Sequence, residues 1–439
     1  MQRTVRRFPL APKPNFKDKL LAWSQQYETA LWFDSNEHKE SYHSYDGILA
    51  VEEFTAIQTD YFQAFDKLKE YQSTTNDYIF GYLSYDVKND SEKLRSENID
   101  ELDFPDVYFF QPQKIIFINQ SNIEFHYLRM VEDEIEPDFE LINNQMISQG
   151  SQECDLNIIP RIKKEEYYSK VSSVLEHIYR GDIYEANFCQ EFYSVNESLN
   201  PVLAYHDLNA ISKPPFATFF KLEDKYLLSA SPERYIKKEG EKIISQPIKG
   251  TAKRSNDKKE DQEIAQKLKN DPKERSENIM IVDLVRNDLS RTAKKGTVRV
   301  EELCEIYSFK QVHQMISTIV SEIQEDIHPV DVIRDTFPMG SMTGAPKISA
   351  MKIIEELEET KRGLYSGTVG YFTPEGDFDF NVVIRSILYN ETKKYVSFSV
   401  GSAITSKSTP ENEYEECLLK AKAMKWVLTK NKISSKVLP

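Results

Sequence analysis

Cysteine is scarce in this chain of 439 residues: four, at positions 154, 189, 304 and 417, with no C-x-x-C pair among them. That spacing excludes a zinc knuckle and a disulfide framework and suits a reducing, cytoplasmic setting. Positive charge is also short. With 56 Lys and Arg against 71 Asp and Glu, the formal net charge is -15, and no strong positive field remains to attract nucleic-acid phosphates. An anionic substrate must therefore be held by a few local cations or by a metal ion. No apolar stretch is long enough to cross a bilayer, and Arg3, Arg6 and Arg7 are followed by Pro9, Pro12 and Pro14 in place of a signal-peptide core. The chain reads as soluble and unprocessed. Disorder is excluded by 40% hydrophobic and 12% aromatic residues, and the length suffices for two domains or one large one.

Texture divides the chain. Up to about residue 128 it reads as strands with few helices, at Ala30-Phe33, Tyr78-Tyr85, Val107-Phe110, Ile115-Ile118 and Ile123-Leu128. The acidic, then polar run from Val131 to Gln152 marks a boundary, giving a strand-rich region 1–152 and a second region 160–430. Helical periodicity follows through Tyr167, Val171, Val174, Leu175 and Ile178 and stops near Gly181. Further strands are expected at Phe216-Leu222, Thr368-Phe372, Phe378-Tyr389 and Tyr395-Val400. Strand follows strand without a crossover helix, so the fold class is α+β with mainly antiparallel sheets. Repeats and low-complexity tracts are missing.

The central stretch is Ser231-Pro232-Glu233-Arg234, followed by Gln246-Pro247-Ile248-Lys249-Gly250-Thr251. Glu239-Gly240 suggests a two-residue hairpin turn. Pairing Lys238 with Glu241 sets a register that puts Glu233 opposite Gln246, three residues before Lys249. A carboxyl and an amine then share one sheet end, beside a Pro/Gly-punctuated segment that lets backbone approach a ligand. An exposed salt bridge would satisfy the same pattern.

Asp271-Pro272-Lys273-Glu274 has the form of a helix start: Asp as N-cap, Pro at the first position, Glu three residues after the cap. The helix is expected to run to about Leu289, burying Ile279, Val282 and Val285, with Glu274 and Glu277 on another face. Ser408-Thr409-Pro410 opens the last helix similarly, with Glu413, Glu416 and Lys420 along one side. The helix dipole accounts for either glutamate pair alone. If the two starts face each other, four carboxylates converge and demand a cation, for which hard oxygen donors without His or Cys indicate Mg²⁺.

The glycine-rich loop 340–347 does not fit the phosphate-loop spacing, and the segment before it is helical in pattern, so it reads as a helix-to-helix connection. Arg385, inside the apolar run Val382-Ile387, needs a carboxylate partner from protein or substrate. His313 reads as a helix histidine with its hydrogen bonds satisfied.

As a set, Ser-Pro-Glu-Arg, Pro-Ile-Lys-Gly-Thr, the 273–289 helix, Gly-Ser-Met-Thr-Gly-Ala-Pro-Lys, Tyr-Ser-Gly-Thr-Val-Gly-Tyr (365–371) and the final Glu-x-x-Glu-x-x-x-Lys resemble the chorismate-utilising enzymes over residues 160 to 430. The resemblance implies a large α/β/β/α sandwich with two antiparallel sheets. Anthranilate synthases have Ala before Gly-Thr; Lys249 makes the chain similar to the family's aminodeoxychorismate synthase component I branch. For that branch Lys249 would attack ring C2 as the C4 hydroxyl leaves, with Glu233 as general acid. Ammonia would then enter at C4 and expel the lysine, giving 4-amino-4-deoxychorismate on the route to 4-aminobenzoate and folate.

The same resemblance implies Mg²⁺ held by Glu277 and Glu416, with Glu274 and Glu413 acting through water. It implies that the two substrate carboxylates are held by Thr251, Tyr365, Arg385, Lys420 and the backbone at Gly250, Gly401 and Ala403, and that His313 is an active-site histidine. Three positions depart from the family pattern. Glu185 stands where Gln is usual and where water-adding relatives carry Lys; Asn278 replaces a frequent His, and Ala403 a frequent Gly. No G-x-C-x-G nucleophile turn is present, so ammonia is expected from solution or from a separate glutamine amidotransferase subunit. A pyruvate-releasing step is not expected. The competing readings are anthranilate synthase component I and a catalytically silent subunit that binds an amidotransferase.

Overall fold

The computed structural model describes residues 2–9, 15–38, 42–120, 122–147, 155–309 and 312–429. Cys154 and the end of the expected boundary run, residues 148–152, lie outside them. The aromatic and β-branched runs form antiparallel strands that hydrogen-bond into two sheets. One runs through Glu185–Val195, Tyr395–Thr405, Ser386–Asn390, Lys225–Ser231, Phe216–Leu222, Thr29–Asp34, Gly47–Thr59 and Val107–Ile118. The other continues from Val107–Ile118 through Ile79–Leu83, Thr368–Phe372, Phe378–Val382, Arg234–Glu239, Lys242–Gln246 and Val312–Glu322.

Val107–Ile118 serves both sheets because it is long. Its residues 107–110 pair with Ile79–Leu83 and its residues 114–118 with Asn122–Leu128. The partner strand Gly47–Thr59 bends there through a bulge between Glu53 and Thr55, with Glu52 at φ 63°. Strands from region 1–152 thus pair directly with strands from region 160–430, as Thr29–Asp34 does with Phe216–Leu222.

Two cores follow from the two faces. On the outer side of the first sheet, Tyr167, Val171 and Val174 of the helix Lys164–Arg180 and Cys417 and Met424 of the helix Pro410–Leu428 pack on Phe188, Val396 and Phe398. The second core joins the sheets to each other through Leu31, Tyr82, Phe220, Val369 and Phe380, and takes in Val282 and Val285 of the helix Pro272–Ser290. The result is the expected helix, sheet, sheet, helix sandwich. Among the described residues no helix is long and apolar enough to cross a membrane. Cys189, Cys304 and Cys417 are free and buried.

Several local expectations are corrected. The hairpin turns at Gly240-Glu241, pairing Glu239 with Lys242, and a bulge brings Arg234, not Glu233, opposite Gln246. The run Phe378-Tyr389 is two strands, broken at 383–385. Ile279 is 39% exposed, while Ile281 and Leu289 join Val282 and Val285 in the core. His313 lies on the strand Val312–Glu322, not on a helix. The strands Arg3–Pro9 and Gly47–Thr59 and the helices Phe16–Ser24 and Ala64–Thr75 add to the elements read from texture. The helix before the glycine-rich loop, Pro329–Thr336, and the one after it, Lys347–Leu357, are as expected.

Gly81 and Gly370 face each other where the sheets join. A Cβ on Gly81 would lie 2.0 Å from the Tyr108 carbonyl oxygen and 2.7 Å from Phe109 Cα, both backbone atoms of the shared strand. Gly81→Ala should therefore lose about 3 kcal/mol in denaturant unfolding. Gly240→Ala, with open space at φ 59°, should lose only about 1 kcal/mol. Equal losses would show that the sheet junction yields as easily as a surface turn.

Candidate active site

Two chain segments leave one sheet for the other side by side. Lys225–Ser231 pairs with Ser386–Asn390 in the first sheet, and Arg234–Glu239 pairs with Phe378–Val382 in the second. At the crossing the Val382 N–H donates to the Glu233 carbonyl at 3.0 Å, and the Ala230 N–H donates to the Arg385 carbonyl at 3.1 Å. Pro232 interrupts one segment, and Arg385, with φ 53°, turns the other. A left-handed backbone costs about 1 to 2 kcal/mol for such a residue, and strain of this kind gathers at functional sites. Glu233 and Arg385 are held together by backbone.

Glu233 is 5% exposed and accepts a hydrogen bond from Ser341 Oγ at 2.7 Å. Burial pushes its carboxyl up to about 7, against the lowering pull of Ser341 and of the Lys249 charge. Lys249 lies on the strand Ile248–Lys253, and its Nζ donates to Glu185 Oε1 at 3.1 Å. Burial lowers Lys249, but the charges of Glu185, Glu277 and Glu233 outweigh it and leave the amine above its ordinary value. The exposed salt bridge is thus not what forms: Glu233 is buried, and the lysine bonds to Glu185.

Gly250, at φ 93°, permits close approach to a helix start. A Cβ there would lie 3.1 Å from Glu274 Oε2 and 3.3 Å from Met315 Cβ. That start is capped as the sequence predicts, with Asp271 Oδ1 accepting from the N–H groups of Lys273 at 2.8 Å and Glu274 at 3.0 Å. Thr409 caps the helix Pro410–Leu428, accepting from the Asn412 N–H at 3.4 Å. Burial pushes Glu277 up to about 7, with Lys249 and Lys273 opposing. Glu274 is also raised, by burial and then, after the opposing pull of Lys273, by Glu416 on the other helix.

Burial raises Glu416 as well, but Lys420, bonded to it at 2.7 Å, together with Lys273 and Lys249, brings it below the ordinary range. Glu413 is 2% exposed and accepts from Ser402 Oγ. Lys273 feels Glu277, Glu413, Glu416 and Glu274. The two acidic helix starts therefore face one pocket, with an ammonium among them. Among the described residues no three His, Cys, Asp or Glu side chains are gathered closely enough to hold a metal as they stand. Glu277 Oε1 is buried without a hydrogen-bond donor.

Anchors for an anion surround this charge. The Arg385 guanidinium is half-buried and bonds to no carboxylate among the described residues; burial lowers its basicity, and Tyr365 and Glu416 act against that. Tyr365 is 4% exposed, its hydroxyl 3.7 Å from Cys189 Sγ. Lys420 Nζ donates to the Gly401 carbonyl at 2.8 Å. A Cβ at Gly401 would meet Cys189 Sγ at 2.5 Å and Asn187 Oδ1 at 2.9 Å, so only glycine fits. Ala403 follows on the same strand opposite Asn187, and exposed Thr251 pairs with Gln314.

His313 does not join this group. Its Nδ1 meets Ser308 Oγ at 2.8 Å, its Nε2 meets Asp261 Oδ1 at 2.9 Å, and it is 2% exposed. Asp261 is held far below the usual carboxylate range, chiefly by Arg254. The next residue, Gln314, sits opposite Thr251 on the other face of the sheet, buried, with Oε1 unpartnered. Sequence reading missed Gln314 and Ser341. A period of two in place of 3.6 across 312–318 would have separated His313 from Gln314. Asn278 bonds through Nδ2 to the Met315 carbonyl at 3.3 Å and ties the Pro272–Ser290 helix to that strand.

Comparison with known proteins agrees with this geometry. Residues 20–425 match the family model of the chorismate binding enzymes. Aminodeoxychorismate synthase component 1 of Salmonella typhimurium is 41% identical over 251 residues, 57% of this chain and 55% of that one. An anthranilate synthase component I-like protein of Synechocystis sp. is 35% identical over 347 residues, 78% of this chain and 71% of that one. The crystal structure of anthranilate synthase component I from Streptococcus pneumoniae TIGR4 shares the fold with a TM-score of 0.76, at 24% identity, covering 88% of this chain and 94% of its own. A match to the family model over residues 20–425, nearly the whole chain, on a fold of the same kind, makes this protein a member of the chorismate binding enzyme family.

Proposed function

We propose that the chain is an aminodeoxychorismate synthase component I, which aminates chorismate with ammonia to 4-amino-4-deoxychorismate through a covalent bond to Lys249. The observation that carries this reading is a half-buried lysine amine, bonded to Glu185 at 3.1 Å, near a buried glutamate, Glu233, whose carboxyl is pushed up to about 7. The neutral Lys249 amine attacks C2, the two ring double bonds shift, and the C4–O bond breaks as Glu233 gives its proton to the hydroxyl, releasing water. Ammonia attacks C4, the double bonds shift back, and the C2–N bond to Lys249 breaks. With C2 occupied by the lysine, nitrogen ends at C4. The substrate carboxylates lie against Arg385, Lys420, Tyr365, Thr251 and the backbone at Gly250, Gly401 and Ala403.

An all-carboxylate donor set with the orphaned Glu277 Oε1 fits a hard divalent cation. Glu277 and Glu416 would hold Mg²⁺, with Glu274 and Glu413 behind waters, and the ion would neutralise substrate carboxylate charge. Ammonia comes from solution or from a separate glutamine amidotransferase subunit. The described cysteines support this: burial pushes Cys189 up to about 12 and Cys417 up to about 11, so neither supplies a thiolate for glutamine hydrolysis. The Synechocystis relative favours a second reading, anthranilate synthase component I, in which ammonia enters at C2 itself. Lys249 speaks against it.

Incubation with chorismate, Mg²⁺ and ammonium, with the product identified by mass and chromatography, separates the two readings. The C4-amino product is expected, and Lys249→Ala should reduce its formation by about 100-fold or more; a full rate in that variant removes the covalent route. Because Glu233 donates in its protonated form, kcat/KM at fixed free ammonia should fall as pH rises through about 7. Glu233→Gln should lose that limb and about 100-fold in rate. Glu277→Gln should weaken Mg²⁺ binding in calorimetry by about tenfold or more, and unchanged binding would remove Glu277 from the metal site.

A further inference from the structure

Glu185 is the most buried acid of the pocket, 1% exposed at the first position of the strand Glu185–Val195. Its Oε1 accepts from Lys249 Nζ at 3.1 Å, and its Oε2, equally buried, has no donor among the described residues. No other described group is within hydrogen-bonding distance of Lys249 Nζ; Glu277 and Glu233 act on it through space. Its strand partners, Ala345 and Thr405, are uncharged, and the Pro272–Ser290 helix brings Glu277, whose charge and that of Glu185 repel through space. A lysine beside this carboxylate rests as an ammonium, which has no lone pair to offer C2.

We propose that Glu185 is the catalytic base that takes the Lys249 proton for the attack and returns it when the amine departs. The inference rests on the reading of Lys249 as nucleophile and adds the path of its proton. Transfer inside the pair turns ammonium and carboxylate into amine and carboxylic acid with no change in net charge. Water favours the ion pair, and a dry site favours the neutral one. Substrate binding expels water from around a half-buried lysine bonded to a buried carboxylate, so the transfer becomes easier when C2 arrives. The balance closes. Lys249 bonds to C2 while Glu233 protonates the leaving hydroxyl, and ammonia at C4 then expels the amine. The C4 ammonium can restore the Glu233 proton, and Glu185 reprotonates the free lysine. The unpartnered Oε2 supplies the second oxygen over which the proton can be held.

With an amide at position 185, the lysine would have to lose its proton to another acceptor before the attack. This chain keeps the proton inside the site. The two cases differ in pH dependence, which a purely structural role for Glu185 would not alter.

The test is a quenched reaction of the full chain with chorismate and Mg²⁺ without ammonia, read by intact mass for an adduct equal to chorismate less water, across about pH 6 to 9. In wild type its rate should follow only the Glu233 limb, falling as pH rises through about 7, because the pair as a unit keeps one proton. Glu185→Gln should be slower at neutral pH by about tenfold or more, and its rate relative to wild type should rise about tenfold per pH unit below the pKa of the amine. Glu185→Asp should recover part of the rate with the wild-type profile. Chorismate binding by calorimetry identifies variants whose pocket is intact. Glu185→Gln forming the adduct at the wild-type rate with the wild-type profile overturns the role of Glu185 and leaves the lysine route standing. A wild-type chain that forms no adduct while Lys249→Ala still turns over overturns the lysine route itself, and the base with it.

Discussion

The site depends on the place where two neighbouring segments change sheets together. A strand that stops would leave its N–H and C=O groups unpaired in the core, at a cost of about 1 to 3 kcal/mol each. Here the ladder is carried through the break, Glu233 to Val382 and Arg385 to Ala230. A buried carboxyl and a guanidinium thereby become neighbours through main-chain bonds, before any side chain contributes. The helix starts and the Ile248–Lys253 strand then fill the opening that the crossing leaves, with Gly250 giving the strand its close approach to Glu274.

What gathers there is an excess of negative charge with little water to dilute it. Glu233 and Glu277 are both pushed up to about 7 by burial, which is the pocket's way of shedding charge through protons. Lys249 and Lys273 offset the rest. A divalent ion would take over part of what Lys273 now does, and a dianion entering beside Arg385 would meet a guanidinium that no carboxylate among the described residues has claimed. With such an ion in place, its charge and that of the ligand would offset each other as well as the protein's, and an acidic chain could hold an acidic ligand.

Much of this was legible in the sequence where the signal is local. Both helix starts follow from Asp271-Pro272 and Thr409-Pro410, because a capping side chain and a preset proline φ act within four residues. The antiparallel α+β class follows from strand runs without crossover helices. Register was less legible. The expected pairing of Lys238 with Glu241 gives way because the turn falls one residue later, and a bulge beyond it admits Arg234, whose guanidinium bonds to Asp379 at 3.0 Å on a strand about 145 positions away. The break at Arg385 was hidden because its neighbours are as apolar as a continuous strand requires. His313 and Gln314 illustrate the cost of one wrong period, since a strand read as a helix assigns a side chain to the wrong face.

Texture also suggested a division near residue 152 that the sheets do not follow. Ile79–Leu83 lies against Thr368–Phe372, and Thr29–Asp34 against Phe216–Leu222, so strands from the first region complete both sheets. The aromatic residues that made that region look self-contained, Tyr82 and Phe109 among them, are buried against Phe220 and Phe380 of the other. Composition reports which residues need burying and says nothing of which partners will bury them. The crossing that holds Glu233 and Arg385 lies in the second region, yet the sheets on either side of it are joined through Val107–Ile118 in the first. The geometry of the pocket is in that sense a property of the whole sandwich, and a catalytic region taken alone would lose the strand that fixes the angle between its two halves.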